Sequence, residues 1–300
     1  MIRAPTIKQL QYFLALSEHG HFGRAAEASF VSQSAFSTAI QELESMLDTQ
    51  LVDRTNRQVT ITATGQEVAL QARLVMRDVE TLVEIAGVRR EPLTGNLRLG
   101  VIPTIAPFLL PTLLPKLRKA YPQLQLYLVE DQTARLHQRL LEGELDLLLL
   151  ALPFDMRSVT SIPLYKDGFR LAARRGTKRV DPENYRYSRL DAESVLLLED
   201  GHCLRDHALA ACKIRNTEKV SRFAASSLLT LVEMVDADLG ITFLPEMASN
   251  SMLLKNTQVR TYEIGDNSYR TIGLTWRKGS ARSEEFRLFG EFVKNNRVKT

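Results

Sequence analysis

The feature that most constrains the fold is a change in hydrophobic period near residue 95. From residue 66 onward the chain has no proline and no glycine until Gly87. Apolar residues there recur at alternating spacings of four and three positions, the repeat of a helix that pairs with a second helix as a coiled coil. Beyond Pro92 and Gly95, short runs that are apolar throughout alternate with amphipathic stretches, as in α/β domains. The sequence therefore predicts a long helix between an N-terminal domain and an α/β domain.

This long helix is predicted to be a dimerisation element. A helix of about 27 residues extends ~40 Å, so it would also hold the two domains apart. A helix buried in the core of one domain is the alternative. The predicted boundaries are 1–62 for the N-terminal domain, 63–95 for the helix and its hinge, and 96–300 for the α/β domain. The side chains expected in the dimer seam are Val68, Ala72, Val75, Val79 and Leu82.

Residues 1–62 have the pattern of three helices followed by a small hairpin. Ser32 is a suitable N-cap for the third helix, whose buried stripe begins with Phe36 and Ile40. The opposite face carries hydroxyls and amides, which can both donate to and accept from base edges in the major groove. An ordinary solvated face is the alternative. The residues predicted to read DNA are Gln33, Ser34, Ser37, Thr38 and Gln41, with Arg54 and Arg57 of the hairpin on phosphates.

The region after residue 95 is predicted to form two α/β lobes. Strands are expected at 97–102, 124–129 and 145–151, with helices between them. Because these strands are apolar throughout, the sequence predicts a parallel sheet covered on both faces. Lobe I is expected to comprise about residues 96–164 and 271–300, and lobe II about residues 165–270.

The chain has only two cysteines, Cys203 and Cys212, both within the segment LLLEDGHCLRDHALAAC. Cys203 is predicted at the start of a helix beside His202 and Arg205, where backbone dipoles and cations favour the thiolate. If the segment is helical, the two Cα atoms lie roughly 13 Å apart, whereas a disulfide tolerates about 7 Å. A disulfide would therefore require the helix to unwind. Two unrelated buried thiols are the alternative.

The N-terminal residues lack the pattern of a signal peptide, and no apolar run reaches the ~20 residues of a membrane span. A cytoplasmic location without membrane contact is expected, where cysteines rest as thiols and a disulfide is transient. The net charge of +4 does not locate DNA binding, since residues 1–90 hold slightly fewer basic than acidic residues. No metal site and no cofactor motif is expected from the sequence.

Two segments resemble the LysR family of transcription regulators and its peroxide-sensing OxyR group. HFGRAAEASFVSQSAFSTAIQELE is similar to the LysR-type helix-turn-helix, and GHCLRD with a second cysteine beyond it is similar to the OxyR redox segment. The resemblance covers nearly the whole chain. It implies a winged helix-turn-helix, a linker helix and a two-lobed periplasmic-binding-protein-like α/β effector domain. Two departures are Ser34, where the family usually has proline, and Asp48 in the turn after the recognition helix.

The resemblance further implies that hydrogen peroxide oxidises Cys203 to a sulfenic acid. Cys212 would then resolve it as an intramolecular disulfide that remodels the oligomer and its DNA contacts. The residues that match the group's peroxide-binding pattern are Thr104, Thr133, His202, Arg205, Asp206 and Arg270.

The implied partners are double-stranded operator DNA, hydrogen peroxide, further copies of the chain in a homodimer or homotetramer, RNA polymerase and a glutaredoxin- or thioredoxin-type reductant. The protein is expected to be a transcription regulator and not an enzyme. One alternative is a LysR-type regulator that binds a small organic acid between its lobes, with the cysteines incidental. Another is a thiol peroxidase, which would leave the helix-turn-helix without a purpose.

Overall fold

The structure is a computed structural model of the 300-residue chain. It describes residues 4–54, 59–86, 91–182, 184–212, 214, 217–249, 251–265 and 268–297. The chain divides into two compact units, residues 1–90 and residues 91–300. Across the described ranges, every helix is too short or too polar to cross a membrane.

The first unit consists of helices and one small hairpin. Thr6 caps the first helix in a capping box with Gln9, and Ser32 caps the third by accepting from the backbone N–H of Ala35 at 3.3 Å. The predicted N-cap is thereby confirmed. The elements are α1 (Ile7–His19), α2 (Phe22–Ala28), α3 (Gln33–Leu47), β1 (Val52–Arg54), β2 (Val59–Ile61) and α4 (Ala63–Ala86).

The core of this unit is built by the apolar stripes of α1, α3 and α4. Phe13, Phe36 and Ile40 are fully buried, and the rings of Tyr12 and Phe36 stack with their centroids 5.0 Å apart. Helix α4 contributes Ala72 to the same core. The prediction that Ala72 faces a second helix is therefore wrong, because its own unit already covers it.

The remaining seam residues of α4 differ in their surroundings. Val68 packs against the edge of this core, whereas Val75 is 42% exposed and Leu82 is 65% exposed. Val79 is partly buried. Apolar side chains left exposed along the distal half of α4 are what a helix seam would cover, so dimerisation through this part of α4 remains a prediction.

The second unit is built on a seven-stranded sheet with the strand order β10, β6, β11, β5, β3, β4, in which β9 also pairs with β6. A separate pair, β7 and β8, runs parallel. The strands are β3 (Gly95–Val101), β4 (Leu124–Glu130), β5 (Leu147–Leu152), β6 (Val159–Arg174), β7 (Val195–Leu198), β8 (Val220–Ala225), β9 (Thr242–Pro245), β10 (Val259–Glu263) and β11 (Tyr269–Arg277). The helices are α5 (Ala106–Ala120), α6 (Thr133–Leu141), α7 (Cys203–Ala211), α8 (Leu228–Asp236), α9 (Glu246–Ser249) and α10 (Ser283–Asn295).

The prediction of a parallel sheet holds for only part of this unit. Strand β3 runs parallel to β4 and β5, but β11 is antiparallel to both β5 and β6. Strand β6 is 16 residues long and continues across the predicted boundary between the two lobes, which falls between residues 164 and 165. It leaves the first lobe and β11 returns to it, so the two crossing strands run in opposite directions.

Two hydrophobic cores lie on either side of these crossing strands. The first is packed around β3, β5, α5 and α10 and includes Trp276 and Phe286. The second is packed around β7, β9 and α8 and includes Val195 and Phe243. Helix α7 contributes to both cores, because Cys203 belongs to the first while Leu204 and Ala208 belong to the second.

Candidate functional site

Cys203 is held at the start of α7 by a tight turn after β7. Gly201 in that turn has φ 97°, and a Cβ there would lie 2.8 Å from Oε1 of Gln132. Glycine adopts this backbone conformation without strain, and any larger residue would also displace the end of the Gln132 side chain. The turn therefore brings the N-terminus of α7 against the N-terminus of α6, where Gln132 is followed by Thr133.

Thr133 supplies a buried hydroxyl that faces the Cys203 thiol. Its side chain is 1% exposed, and its Oγ1 makes no conventional hydrogen bond within the ranges that the structure describes. The hydroxyl nevertheless acts on the Cys203 thiol and lowers the pKa of that thiol. A thiol and a free hydroxyl therefore meet at the junction of α6 and α7.

Arg270 of β11 is the cation of the site and is almost completely buried. Its Nε donates to Oδ2 of Asp167 at 2.9 Å. Its Nη1 donates to Oγ1 of Thr104 at 2.8 Å, and its Nη2 donates to the Thr104 carbonyl at 2.8 Å. Because Arg270 uses an acceptor position of the Thr104 hydroxyl, the O–H proton of Thr104 remains available to donate.

The buried carboxylate of Asp167 compensates the charge of Arg270. Its second oxygen, Oδ1, accepts from the backbone N–H of Met247 at 3.1 Å, and Sδ of Met247 lies 3.6 Å from Nη2 of Arg270. Asp167 and Met247 were not predicted from the sequence. An acid within a strand and a methionine at the start of α9 carry no local signal of such a contact.

The pKa of Cys203 is raised, contrary to the prediction that the thiolate would be favoured. Desolvation by burial is the largest cause, and it outweighs the lowering by the Thr133 hydroxyl and by the charge of Arg270. Asp206 raises the pKa further. The sequence pattern did identify a thiol at a helix start, but it could not show that the position is only 5% exposed.

The flanking residues of the GHCLRD segment are placed differently from the sequence prediction. Arg205 pairs with Asp200 at 3.0 Å and donates to the Leu198 carbonyl at 3.2 Å, so it secures the turn and is not the cation that acts on the thiol. His202 is buried, with Nε2 3.9 Å from a carboxylate oxygen of Glu199. The positive charge that acts on the Cys203 thiol comes instead from Arg270 of β11.

Cys212 ends α7 and lies in different surroundings from Cys203. It is the C-cap residue of α7 and packs against the second core. Burial raises its pKa to about 12. Both cysteines are free thiols in the structure, and the intact helix between them agrees with the predicted separation.

The polar face of α3 is presented to solvent as the sequence predicts. Gln33, Ser34, Thr38 and Gln41 are exposed, and Ser37 is partly buried. Oγ1 of Thr38 donates to the Ser34 carbonyl at 3.0 Å, which leaves its lone pairs free to accept. Arg57 lies outside the described residues, and for Arg54 the structure describes only the backbone. Among the residues with described positions, no group of three His, Cys, Asp or Glu could hold a metal ion.

A helix-turn-helix with a polar recognition face, joined in one chain to a two-lobed α/β domain, defines a transcription regulator with its own sensing domain. Residues 7–66 match the family described as bacterial regulatory helix-turn-helix protein, lysR family. Residues 90–297 match the LysR substrate binding domain. The protein belongs to the LysR family of DNA-binding transcription regulators.

Three relatives illustrate its position within that family. The chain is 42% identical over 98% of both chains to the HTH-type transcriptional regulator EstR of Acinetobacter baylyi. It is 37% identical, over 97% of this chain and 95% of the relative, to the hydrogen peroxide-inducible genes activator of Dickeya chrysanthemi. A solved structure of a full-length OxyR variant from Pseudomonas aeruginosa is 30% identical, has a TM-score of 0.78 and covers 99% of this chain and 100% of its own.

Proposed function

We propose that this protein senses hydrogen peroxide through Cys203 and transmits the signal to DNA-bound α3. The observation that carries the proposal is the convergence of one thiol with two hydroxyls and one guanidinium, from Cys203, Thr133, Thr104 and Arg270. This set has a nucleophile, two donors for the peroxide oxygens and a fixed positive charge. A relative at 37% identity carries the printed name of a hydrogen peroxide-inducible genes activator.

The chemistry follows from the roles of these groups. The sulfur of Cys203 attacks one peroxide oxygen, so that an S–O bond forms while the O–O bond breaks and hydroxide departs. The hydroxyls of Thr104 and Thr133 orient the two oxygens, and Arg270 stabilises the developing negative charge. His202 and Asp206 border the thiol at the start of α7, while Arg205 holds the turn in place.

Cys212 then attacks the resulting sulfenic acid to form an intramolecular disulfide. A cellular dithiol of the glutaredoxin or thioredoxin type reduces this disulfide back to two thiols. The change is proposed to repack the effector units of a homotetramer, in which two chains form a dimer through the distal half of α4 and two dimers pair through their effector units. DNA contact through α3 and the hairpin then alters, which changes access for RNA polymerase in the cytoplasm. In this proposal the protein regulates transcription and does not turn over peroxide as an enzyme.

A second function is favoured by one specific observation. The match of residues 90–297 to the LysR substrate binding domain favours a LysR-type regulator that responds to a small organic acid bound between its lobes. The two cysteines would then be incidental. Free-thiol counting after peroxide treatment separates the two functions, because only the first requires loss of both thiols at near-stoichiometric peroxide.

The primary test is mass spectrometry of the intact protein after treatment with peroxide. In the parent protein we expect the loss of two hydrogen atoms and a disulfide bond between Cys203 and Cys212. Cys203→Ser should show no response and retain DNA binding, whereas Cys212→Ser should accumulate a sulfenic acid at Cys203 that a dimedone probe captures. An unmodified Cys203 at several equivalents of peroxide would contradict the peroxide-sensing function and favour the small-effector function.

The DNA-reading face gives a separate prediction. Gln33→Ala is expected to reduce discrimination between operator and random DNA by ~1–3 kcal/mol if its amide makes a bidentate base contact. Arg57→Ala, a predicted phosphate contact, should weaken binding to all sequences and reduce the salt dependence. Fluorescence anisotropy titrations at several salt concentrations measure both effects. Equal losses on operator and random DNA for Gln33→Ala would exclude base reading by that side chain.

A further inference from the structure

His207 is a second histidine on the face of α7 that carries the thiol. It stands four positions after Cys203 within the same helix, and side chains with this spacing are neighbours on one helix face. Its Nε2 lies 3.0 Å from the backbone carbonyl oxygen of Pro153. His207 therefore connects α7 to the segment that follows β5.

The contact with Pro153 determines which ring nitrogen carries the proton. A carbonyl oxygen can only accept, so Nε2 of His207 must be the protonated donor and Nδ1 must present a lone pair. That Nδ1 atom is buried and has no hydrogen-bond partner in the described ranges of the chain. A buried acceptor without a donor is costly, which indicates a group that acquires its donor in another state of the site.

His207 and Cys203 have two charged neighbours in common. The charges of Arg270 and Asp206 act on the pKa of both residues. Burial, the largest cause, lowers the pKa of His207, and Arg270 lowers it further, against opposite effects of the Pro153 carbonyl and Asp206. The imidazole is therefore neutral near pH 7 and able to accept a proton, while the Cys203 thiol remains protonated and needs an acceptor.

We propose that Nδ1 of His207 is the general base for Cys203, an assignment that rests on the proposed peroxide-sensing function. Nδ1 takes the proton of the thiol as sulfur attacks the peroxide, so that a thiolate and an imidazolium form together. Sulfur then bonds to one oxygen, the O–O bond breaks, and the departing hydroxide takes the proton from the imidazolium. The products are a sulfenic acid and water, and His207 returns to its neutral form.

The other polar groups around the thiol are poorly suited to this task. Asp167 is committed to Arg270 and to the backbone of Met247. Arg270 has no acceptor atom. Nε2 of His202 lies near Glu199 on the other side of the turn. Among these groups, the lone pair of His207 is the one that is both buried and without a donor.

The test compares His207→Gln with His137→Gln, both in a Cys212→Ser background so that only the first oxidation step is observed. Glutamine retains a side-chain N–H for the Pro153 carbonyl but has no basic lone pair. His137 is the matched control, because its Nε2 likewise lies 3.2 Å from a backbone carbonyl oxygen, that of Arg157, and it is not among the groups that act on the pKa of Cys203. The measurement is the second-order rate constant for sulfenic acid formation between pH 5.5 and 9, by stopped-flow with a sulfenate trap.

The parent and His137→Gln should react at a rate that is nearly independent of pH from about pH 6.5 upward. Below that pH the rate should fall as His207 becomes protonated. His207→Gln should react ~10²-fold more slowly at pH 7, with a rate that rises about tenfold per pH unit as the thiolate fraction grows. An unchanged rate and profile in His207→Gln, or a loss of equal size at every pH, would overturn the assignment. A parent protein that does not react at Cys203 would instead overturn the proposed function itself.

Discussion

Replacing Arg270 by methionine is expected to destabilise the effector unit by ~3–5 kcal/mol, the usual cost of removing one partner from a buried ion pair. The Arg270 side chain is completely buried and that of Asp167 is 4% exposed. Methionine fills much of the same volume but leaves the Asp167 carboxylate without its countercharge. Thr104 also loses two hydrogen bonds from the guanidinium. Urea unfolding followed by the fluorescence of Trp276, the single tryptophan of the chain, measures the change.

Two further variants separate charge from packing in this result. Asp167→Asn added to Arg270→Met should recover part of the loss, since the amide is neutral and keeps an oxygen for the Met247 backbone N–H. The matched surface control is Arg135→Met, whose pair with Asp131 at 3.5 Å involves an arginine side chain that is 71% exposed. That change is expected to alter the free energy of unfolding by less than about 1 kcal/mol. Equal losses for Arg270→Met and Arg135→Met would contradict the role assigned to the buried pair.

The local elements of this protein could be predicted from the sequence because their signals lie within a few residues. The Ser32 cap and the buried face of α3 depend on residues three or four positions apart. The same reasoning found β5 from a run of leucines and placed Cys203 at the first residue of α7. Each of these features depends on a chain segment and its immediate neighbours.

The features that the sequence did not indicate depend on contacts between distant segments. Asp167 and Arg270 are separated by more than a hundred positions, and neither has a local pattern that identifies the other. The raised pKa of Cys203 follows from burial in the first core, which outweighs the helix start and nearby charges. Ala72 has coiled-coil spacing, but the core of its own unit already covers it. Spacing predicts a helix face and leaves open what covers that face.

The positions of the two cysteines make disulfide formation a structural transition. Cys203 belongs to the first core and Cys212 packs against the second. Because they are nine positions apart along an intact helix, their Cα atoms are about 13 Å apart, whereas a disulfide allows ~7 Å. At least one thiol must therefore leave its core before the bond forms. The burial that raises the pKa of Cys212 to about 12 also keeps it protonated, and thus a weak nucleophile, until it leaves.

We therefore expect oxidation to unfold α7, and hydrogen exchange measured by mass spectrometry should detect it. The amides of residues 203–212 should exchange faster in the disulfide form by a factor on the order of 10³ or more, since they lose the protection of a folded helix. Helix α1 serves as an internal reference, because its apolar face is buried in the core of the first unit, which contains neither cysteine. Peroxide-treated Cys212→Ser supplies the control in which Cys203 is oxidised but no bond can form. If a protein with a confirmed disulfide protected these amides as well as the reduced form does, the bond would have formed without unfolding α7. The signal would then have to reach the DNA-binding unit by another route.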